Sequence, residues 1–218
     1  VLLMVRANNT LISNNKITDN GEVGIHVFPY ADNNTIDGNI MLNHRYCGIN
    51  LFGTSGNRIR RNILMYDERG IRVYGTQNVI NNNVIAKNKY GIEMWNDLAP
   101  DNVIYHNDFI DNTYQLYPDF QPRNLSRWNN EANEGNYWSD YEGEDLNGDG
   151  VGDTNTPHLG EDSYPLANPR SPIPVILDGQ LYQVTLRSSS VVSRFYFNQA
   201  LKDIDFRVIG PTDTVSYY

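Results

Sequence analysis

The chain has 218 residues, 17 lysines and arginines against 26 aspartates and glutamates, a formal charge of −9 and 39% hydrophobic content, which allows a core in one or two domains. No basic cluster exceeds Arg58, Arg60 and Arg61, so the acidic balance excludes a phosphate-backbone binder, and nucleic acid is not an expected partner. No apolar run reaches the length of a membrane span, and the single cysteine, Cys47, excludes a disulfide framework.

The chain opens on Val1-Leu2-Leu3-Met4-Val5, a strand pattern too short for a secretory leader, and reads as a fragment that begins in mid-coil. From about Asn9 to Tyr117 a repeat of about 21 to 24 residues follows. Its markers are Gly24-Ile25-His26-Val27, Gly48-Ile49-Asn50-Leu51, Gly70-Ile71-Arg72-Val73 and Gly91-Ile92-Glu93-Met94, with a degenerate copy at Gln115-Leu116-Tyr117-Pro118. Asn15, Asn39, Asn62, Asn83 and Asn107 align upstream of them. Beside them run two apolar columns, Ile12, Ile36, Ile59, Ile80, Ile104 and Ile17, Met41, Leu64, Ile85, Phe109. Apolar runs of two or three residues with period two suit short strands and not helices. Three short strands and three turns per repeat describe one coil of a right-handed parallel β-helix with about five coils, each strand pairing with its counterpart about 4.8 Å away. Asparagine suits the turns because it tolerates the left-handed backbone region and its amide can bond the next coil. Cys47 falls just before a turn glycine and is expected to be a small buried side chain.

The all-β chain then divides into residues 1–118, the β-helix; 119–170, a cap and linker rich in Asn, Asp, Gly and aromatics; and 171–218, part of an antiparallel β-sandwich. The last part alternates at Ile173, Val175 and Leu177, at Tyr182, Val184 and Leu186, at Phe195 and Phe197, and at Ile204, Phe206 and Val208. These four strands are too few to close a core of their own.

In the cap, Asp145, Asn147, Asp149, Val151 and Asp153 match positions one, three, five, seven and nine of a calcium loop, with Gly150 at six for the sharp turn. Three acids and an amide at alternate positions repel one another without a cation, so calcium is the expected cofactor. Thr156 stands where a bidentate glutamate belongs, so either the missing carboxylate comes from elsewhere, with Asp162 or Glu144 nearest, or the site is weak. A site of this kind works at millimolar calcium, an extracellular condition, and Asn8-Asn9-Thr10, Asn33-Asn34-Thr35 and Asn124-Leu125-Ser126 fit the glycosylation triplet.

On the repeat, the residue between the two apolar positions after each glycine faces solvent: His26, Asn50, Arg72, Glu93 and Tyr117. Two residues on stand Phe28, Phe52, Tyr74 and Trp95, an aromatic strip beside a polar row. Sugars lay their CH faces on such rings while their hydroxyls need polar neighbours, so the strip reads as a glycan groove; it reads equally as a stabilising aromatic ladder. Tyr46, Arg69 and Tyr90, before the glycines, form a second exposed column. Arg72 and Glu93 are placed as a surface ion pair, and His44 and Asp67 as a hydrogen-bonded surface pair. Glu93 has no acidic neighbour in its column, although Asp97 follows Trp95, and no catalytic pair emerges. The four histidines form no close pair, which argues against a transition metal.

These coils resemble the NosD-like and CASH-type β-helix repeats, a family of extracellular carbohydrate-binding proteins and sugar hydrolases. Gly135-Asn136-Tyr137-Trp138-Ser139-Asp140-Tyr141 and Asp162-Ser163-Tyr164-Pro165-Leu166 are similar to the segment that closes such helices in archaeal surface proteins. The resemblance covers about Asn9 to Pro169 and implies secretion or surface display, glycan contact, and, where there is catalysis, a polysaccharide lyase, hydrolase or epimerase. It supplies no catalytic residue. The leading expectation is a cell-surface protein binding extracellular polysaccharide through His26, Phe28, Phe52, Arg72, Tyr74, Glu93 and Trp95. The alternative is a non-enzymatic surface or filament subunit that self-associates through its C-terminal strands.

Overall fold

The computed structural model describes residues 2–3, 6–95, 100–117 and 125–171, together with the strands at 173–177, 180–188 and 193–197. Asp97, Asn124 and the expected strand at Ile204, Phe206 and Val208 lie outside the described residues.

Three parallel sheets wrap one apolar column. Sheet A stacks β1 (Leu2–Leu3), β4 (Val23–Val27), β7 (Cys47–Ser55), β10 (Arg69–Thr76), β13 (Tyr90–Met94) and β16 (Tyr114–Leu116). Sheet B stacks β2 (Leu11–Ser13), β5 (Thr35–Asp37), β8 (Arg58–Arg60), β11 (Val79–Asn81) and β14 (Val103–Tyr105). Sheet C stacks β3 (Lys16–Thr18), β6 (Ile40–Leu42), β9 (Ile63–Met65), β12 (Val84–Ala86) and β15 (Asp108–Ile110), and the cap adds β17 (Tyr137–Trp138) as its last strand. Each strand thus pairs with its counterpart one repeat away, as in a parallel β-helix. Both expected inward columns are in register and buried, Ile12 to Ile104 in sheet B and Ile17 to Phe109 in sheet C apart from half-buried Ile17. Trp138 extends the second column by stacking on Phe109 at 4.2 Å.

The corners divide their work between adjacent residues. A residue with positive φ makes the bend, and the residue after it joins a hydrogen-bonded ladder along the axis. In the longest ladder the backbone N–H of Asn15, Asn39, Asn62, Asn83 and Asn107 each donates to the side-chain oxygen one coil on, at 2.9 to 3.1 Å. The bends belong to Asn14, Gly38, Arg61, Asn82 and His106. A second ladder runs through Asn34, Asn57, Asn78 and Asn102, and a third through His44, Asp67, Asn88 and Asn112. The ladder asparagines are therefore not the left-handed residues that the sequence suggested. Each buried amide pairs corner backbone that the strands leave open.

The longest ladder ends in the cap on a carboxylate. Asp162 Oδ2 accepts Asn136 N at 2.8 Å, Asn136 Nδ2 at 3.2 Å and Trp138 Nε1 at 2.9 Å, while Oδ1 accepts Tyr164 N at 3.0 Å. Asp162 is fully buried and so committed, which removes it as a partner for the acidic loop.

The repeat glycines lie within strands, not turns. A Cβ on Gly24, Gly48, Gly70 or Gly91 would stand 2.6 to 2.8 Å from the carbonyl oxygen one coil on, so the requirement is space between backbones. In the third ladder His44 Nδ1 meets Asp67 Oδ1 at 2.9 Å, with both side chains fully buried. The expected surface pair is thus internal, because His44 and Asp67 occupy positions that asparagine fills further along.

The chain divides into two compact units, Val1–Ser171 and Pro172–Tyr218. The cap belongs to the first, whose last residues are tied down where Arg170 N and Ser171 N donate to Asp108 at 2.9 and 2.8 Å. In the second, β18 (Ile173–Leu177), β19 (Gln180–Ser188) and β20 (Ser193–Phe197) pair antiparallel in that order, matching three of the four expected strands. No helix among the described residues is long and apolar enough to cross a membrane.

Candidate functional site

Sheet A carries the candidate site on its outer face. Cα pairing aligns His26 with Asn50, Asn50 with Arg72 and Arg72 with Glu93. The expected polar row is therefore in register, but not all of it meets solvent. Asn50 and Glu93 are each only 4% exposed, because the longer side chains around them fold over the sheet.

Glu93 is the centre of a clamp. Its Oε2 accepts Arg69 Nε, its Oε1 accepts Arg72 Nε at 3.2 Å, and Trp95 Nε1 also donates to Oε1 at 2.7 Å. Arg69 reaches Glu68 as well, at 3.0 Å. The surface ion pair of the sequence reading is therefore a buried one. Its arginines lie against rings, Arg69 4.7 Å from the centroid of Tyr46 and 5.5 Å from Tyr90, and Arg72 5.5 Å from Trp95. Guanidinium over an aromatic face is attractive, so each cation helps to hold the rings in place.

The aromatic strip is assembled in part as expected. Phe52 stacks on Tyr74 at 5.0 Å, and Tyr74 meets Trp95 edge-on at 5.9 Å. Phe28 turns aside to stack on His26 at 4.1 Å, and His26 in turn meets Phe52 edge-on at 6.5 Å. Two local features explain this. β4 ends at Val27, and Pro29 leads the chain away from the sheet just after Phe28. A bulge also follows Phe52, where Gly53 at φ 61° is the extra residue and Tyr74 and Gly75 pair with Phe52 and Thr54. Phe52 and Trp95 are the outermost rings, 37% and 48% exposed.

The second column differs from expectation. Arg69 pairs in register with Cys47 and Tyr90, and Tyr90 with Tyr114, so Tyr46 lies one residue ahead of it. Tyr90 stacks on Tyr114 at 5.6 Å and approaches Tyr117 at 4.8 Å. Tyr114 sits in the degenerate last repeat, in the register that the alignment of Gln115-Leu116 with Gly91-Ile92 gives. The outer face is a polar row with aromatic rings on both sides. Cys47 is buried and unpaired, and burial drives its thiol far above the usual range, so it is no nucleophile.

His26 is held below its usual range by burial first and then by the Arg72 charge, and stands as a neutral imidazole at neutral pH. In the cap, the acidic loop is closed by its own amides. Asp145 accepts Gly148 N at 2.7 Å and Gly150 N at 2.8 Å, Asn147 accepts Asp149 N at 2.8 Å, Asp149 accepts Val151 N at 2.9 Å, and Asp153 accepts Leu146 N at 2.8 Å. Gly148 and Gly150 have φ of 78° and 91°. The described residues contain no group of three or more His, Cys, Asp or Glu side chains that could hold a metal ion.

Stacked parallel sheets and corner ladders define a parallel β-helix repeat protein. A family described as periplasmic copper-binding protein (NosD) matches residues 2–143. The chain belongs to that family. Searches of curated proteins and of solved structures returned no match.

Among the described residues, the donors present do not converge on a site for the copper that the family's description names. His44 is buried on Asp67, His106 is bonded to Glu134, His158 to Asp140, and His26 to Asn50. Met41, Met65 and Met94 are buried among the coils, with a buried, protonated Cys47. Copper needs several soft or imidazole donors converging on one point, and the described residues offer no such arrangement.

Proposed function

We propose that this chain is an envelope or secreted β-helix protein that binds extracellular polysaccharide on the outer face of sheet A. The observation that carries the reading is the pair of exposed rings, Phe52 and Trp95, joined through Tyr74 beside the polar row His26, Asn50, Arg72 and Glu93. Rings fixed by stacking and by cations present apolar faces at little entropic cost, and the polar row supplies bonding groups for hydroxyls. The word periplasmic in the family description supports the location. The reading stops at binding, since Glu93 is occupied by Arg69, Arg72 and Trp95 and so makes a poor acid or base. We assign calcium, as part of the same reading, to the loop of Asp145, Asn147, Asp149, Val151 and Asp153.

The test is a glycan array followed by calorimetry on the best saccharide. Trp95→Ala and Tyr74→Ala should each weaken binding about tenfold while lowering the melting temperature by no more than about 3 °C. A large fall in melting temperature with no saccharide bound would favour the non-enzymatic surface or filament subunit.

A further inference from the structure

Within the polar row, Asn50 differs from the asparagines of the longest ladder; in the second ladder Asn34 likewise keeps an amide nitrogen without a partner, but at a corner and away from the sheet A face. Asn39, Asn62, Asn83 and Asn107 use both ends of their amides, the oxygen on the preceding coil and the nitrogen on carbonyls and on the next amide. The Asn50 amide nitrogen meets His26 Nε2 at 3.3 Å, while its Oδ1 is buried with no hydrogen-bond partner. Turning the amide over does not change the balance. His26 Nε2 offers one bond, so one polar atom of Asn50 is left over in either orientation. Arg72, the register partner in the next coil, directs its Nε to Glu93. A buried amide atom without a partner is costly, and native proteins keep few of them.

The surroundings of this atom suit a ring-shaped, hydroxyl-bearing ligand. Phe52 is two residues further along the same strand and on the same face, and is exposed beside the Gly53 bulge. His26 belongs to the preceding coil, and its ring meets that of Phe52 edge-on at 6.5 Å. A pyranose laid on Phe52 would have to part this edge-on pair to bring a ring hydroxyl to Asn50. A hydroxyl both donates and accepts, so it satisfies the spare amide atom in either orientation.

We propose that Asn50 is a specificity-determining contact of the sheet A face, its spare amide atom receiving a hydroxyl of a saccharide stacked on Phe52; this rests on the polysaccharide reading of the same site. The Asn50 amide nitrogen is bonded to His26 and its oxygen to nothing, so once a ligand parts the side chains that cover it, loss of Asn50 is felt in binding more than in folding.

The experiment uses the full chain and four probes, cellohexaose, maltohexaose, chitohexaose and hexagalacturonate, titrated by calorimetry into wild type, Asn50→Leu, Asn50→Ala and Phe52→Ala, with melting temperatures measured in parallel. For the probe that wild type binds best, both Asn50 variants are expected to bind about tenfold more weakly, to discriminate less among the four probes, and to melt at or above the wild-type temperature. Unchanged affinity and ranking in the Asn50 variants, with a loss in Phe52→Ala, overturns the Asn50 assignment and leaves the saccharide reading standing. Lower melting temperatures in both Asn50 variants mark a structural residue and also overturn it. No binding of any probe by wild type removes the saccharide reading, and the assignment with it.

Discussion

The carboxylate at the end of the longest ladder gives the most direct test of how the coils are held. Along that ladder each asparagine accepts with its oxygen and donates with its nitrogen; Asn136, for example, accepts Asn107 N and donates to the carbonyls of Ile104 and Trp128. At the last rung a backbone donor, Tyr164 N, stands where another amide nitrogen would otherwise meet an acceptor. Aspartate therefore fits there and asparagine does not. Asp162→Asn can still serve Asn136 and Trp138 with one oxygen, but its nitrogen then faces Tyr164 N. One buried donor is lost, at about 1 kcal/mol. Asp162→Ala strips Asn136 N, Trp138 Nε1 and Tyr164 N, while Asn136 Nδ2 keeps its two carbonyls, and at ~1 kcal/mol each the cost is about 3 kcal/mol. For a unit of this size one kcal/mol moves the melting temperature by about 2–4 °C, so the expected falls are about 2–4 °C for asparagine and about 6–12 °C for alanine. Thermal unfolding followed by far-UV circular dichroism reads both. Equal effects of the two variants, or an alanine effect of only a degree or two, would refute the ladder as the device that closes the helix.

Two further outcomes follow from the cap. If calcium occupies the acidic loop, millimolar calcium raises the melting temperature, chelator reverses the gain, and Asp149→Ala abolishes the response; identical melting with calcium and with chelator removes the site. Acid should unfold the chain in two stages. Burial, with the Arg170 charge, holds His106 below its usual range, so its contribution is present above about pH 6.5 and declines as pH falls below that. Glu134 is held low chiefly by its bond from Asn130, and Asp140 by His158, whose bond and charge outweigh burial. Carboxyls depressed on folding stabilise above about pH 4, and that part is lost as pH falls through their lowered values. Melting temperature measured against pH should show both declines, and His158→Gln should flatten the lower one; a curve unaltered by His158→Gln contradicts the Asp140 assignment.

The architecture was legible because the repeat writes it several times. Ile12 to Ile104 and Ile17 to Phe109 each recur at every coil, so one misread position could not shift the register. The corners were half legible. Asparagine's two abilities, bending and bonding, are indistinguishable in sequence, and only the φ values assign the bend to Asn14 or Asn82 and the ladder to Asn15 or Asn83. Short strands also conceal burial. In β9 and β12 all three residues are buried, and neither Ile63 and Met65 nor Val84 and Ala86 belong to the central column, a layering that period two does not predict. On sheet A the sequence placed the row correctly and misjudged its exposure, since whether Arg69 folds over Glu93 depends on side-chain reach between coils, which alignment of a repeat does not carry.

That last point decides where on sheet A a ligand should be sought. The fold consumes the ladder positions and the inward columns, so relatives can share both while binding different things, and a family description that names copper need not govern the outer face of this chain. Two polar side chains there are buried, and they are not equivalent. Glu93 has three donors around it, two of them cationic, and its loss would leave Arg72 without its carboxylate and Arg69 with Glu68 alone, so it belongs to the framework. Asn50 has one bond and an atom left over. A residue already satisfied three times gains little from a ligand, whereas one with an unmet hydrogen bond gains a full one, so the proposed saccharide contact is to be sought at Asn50 and Phe52 before Glu93.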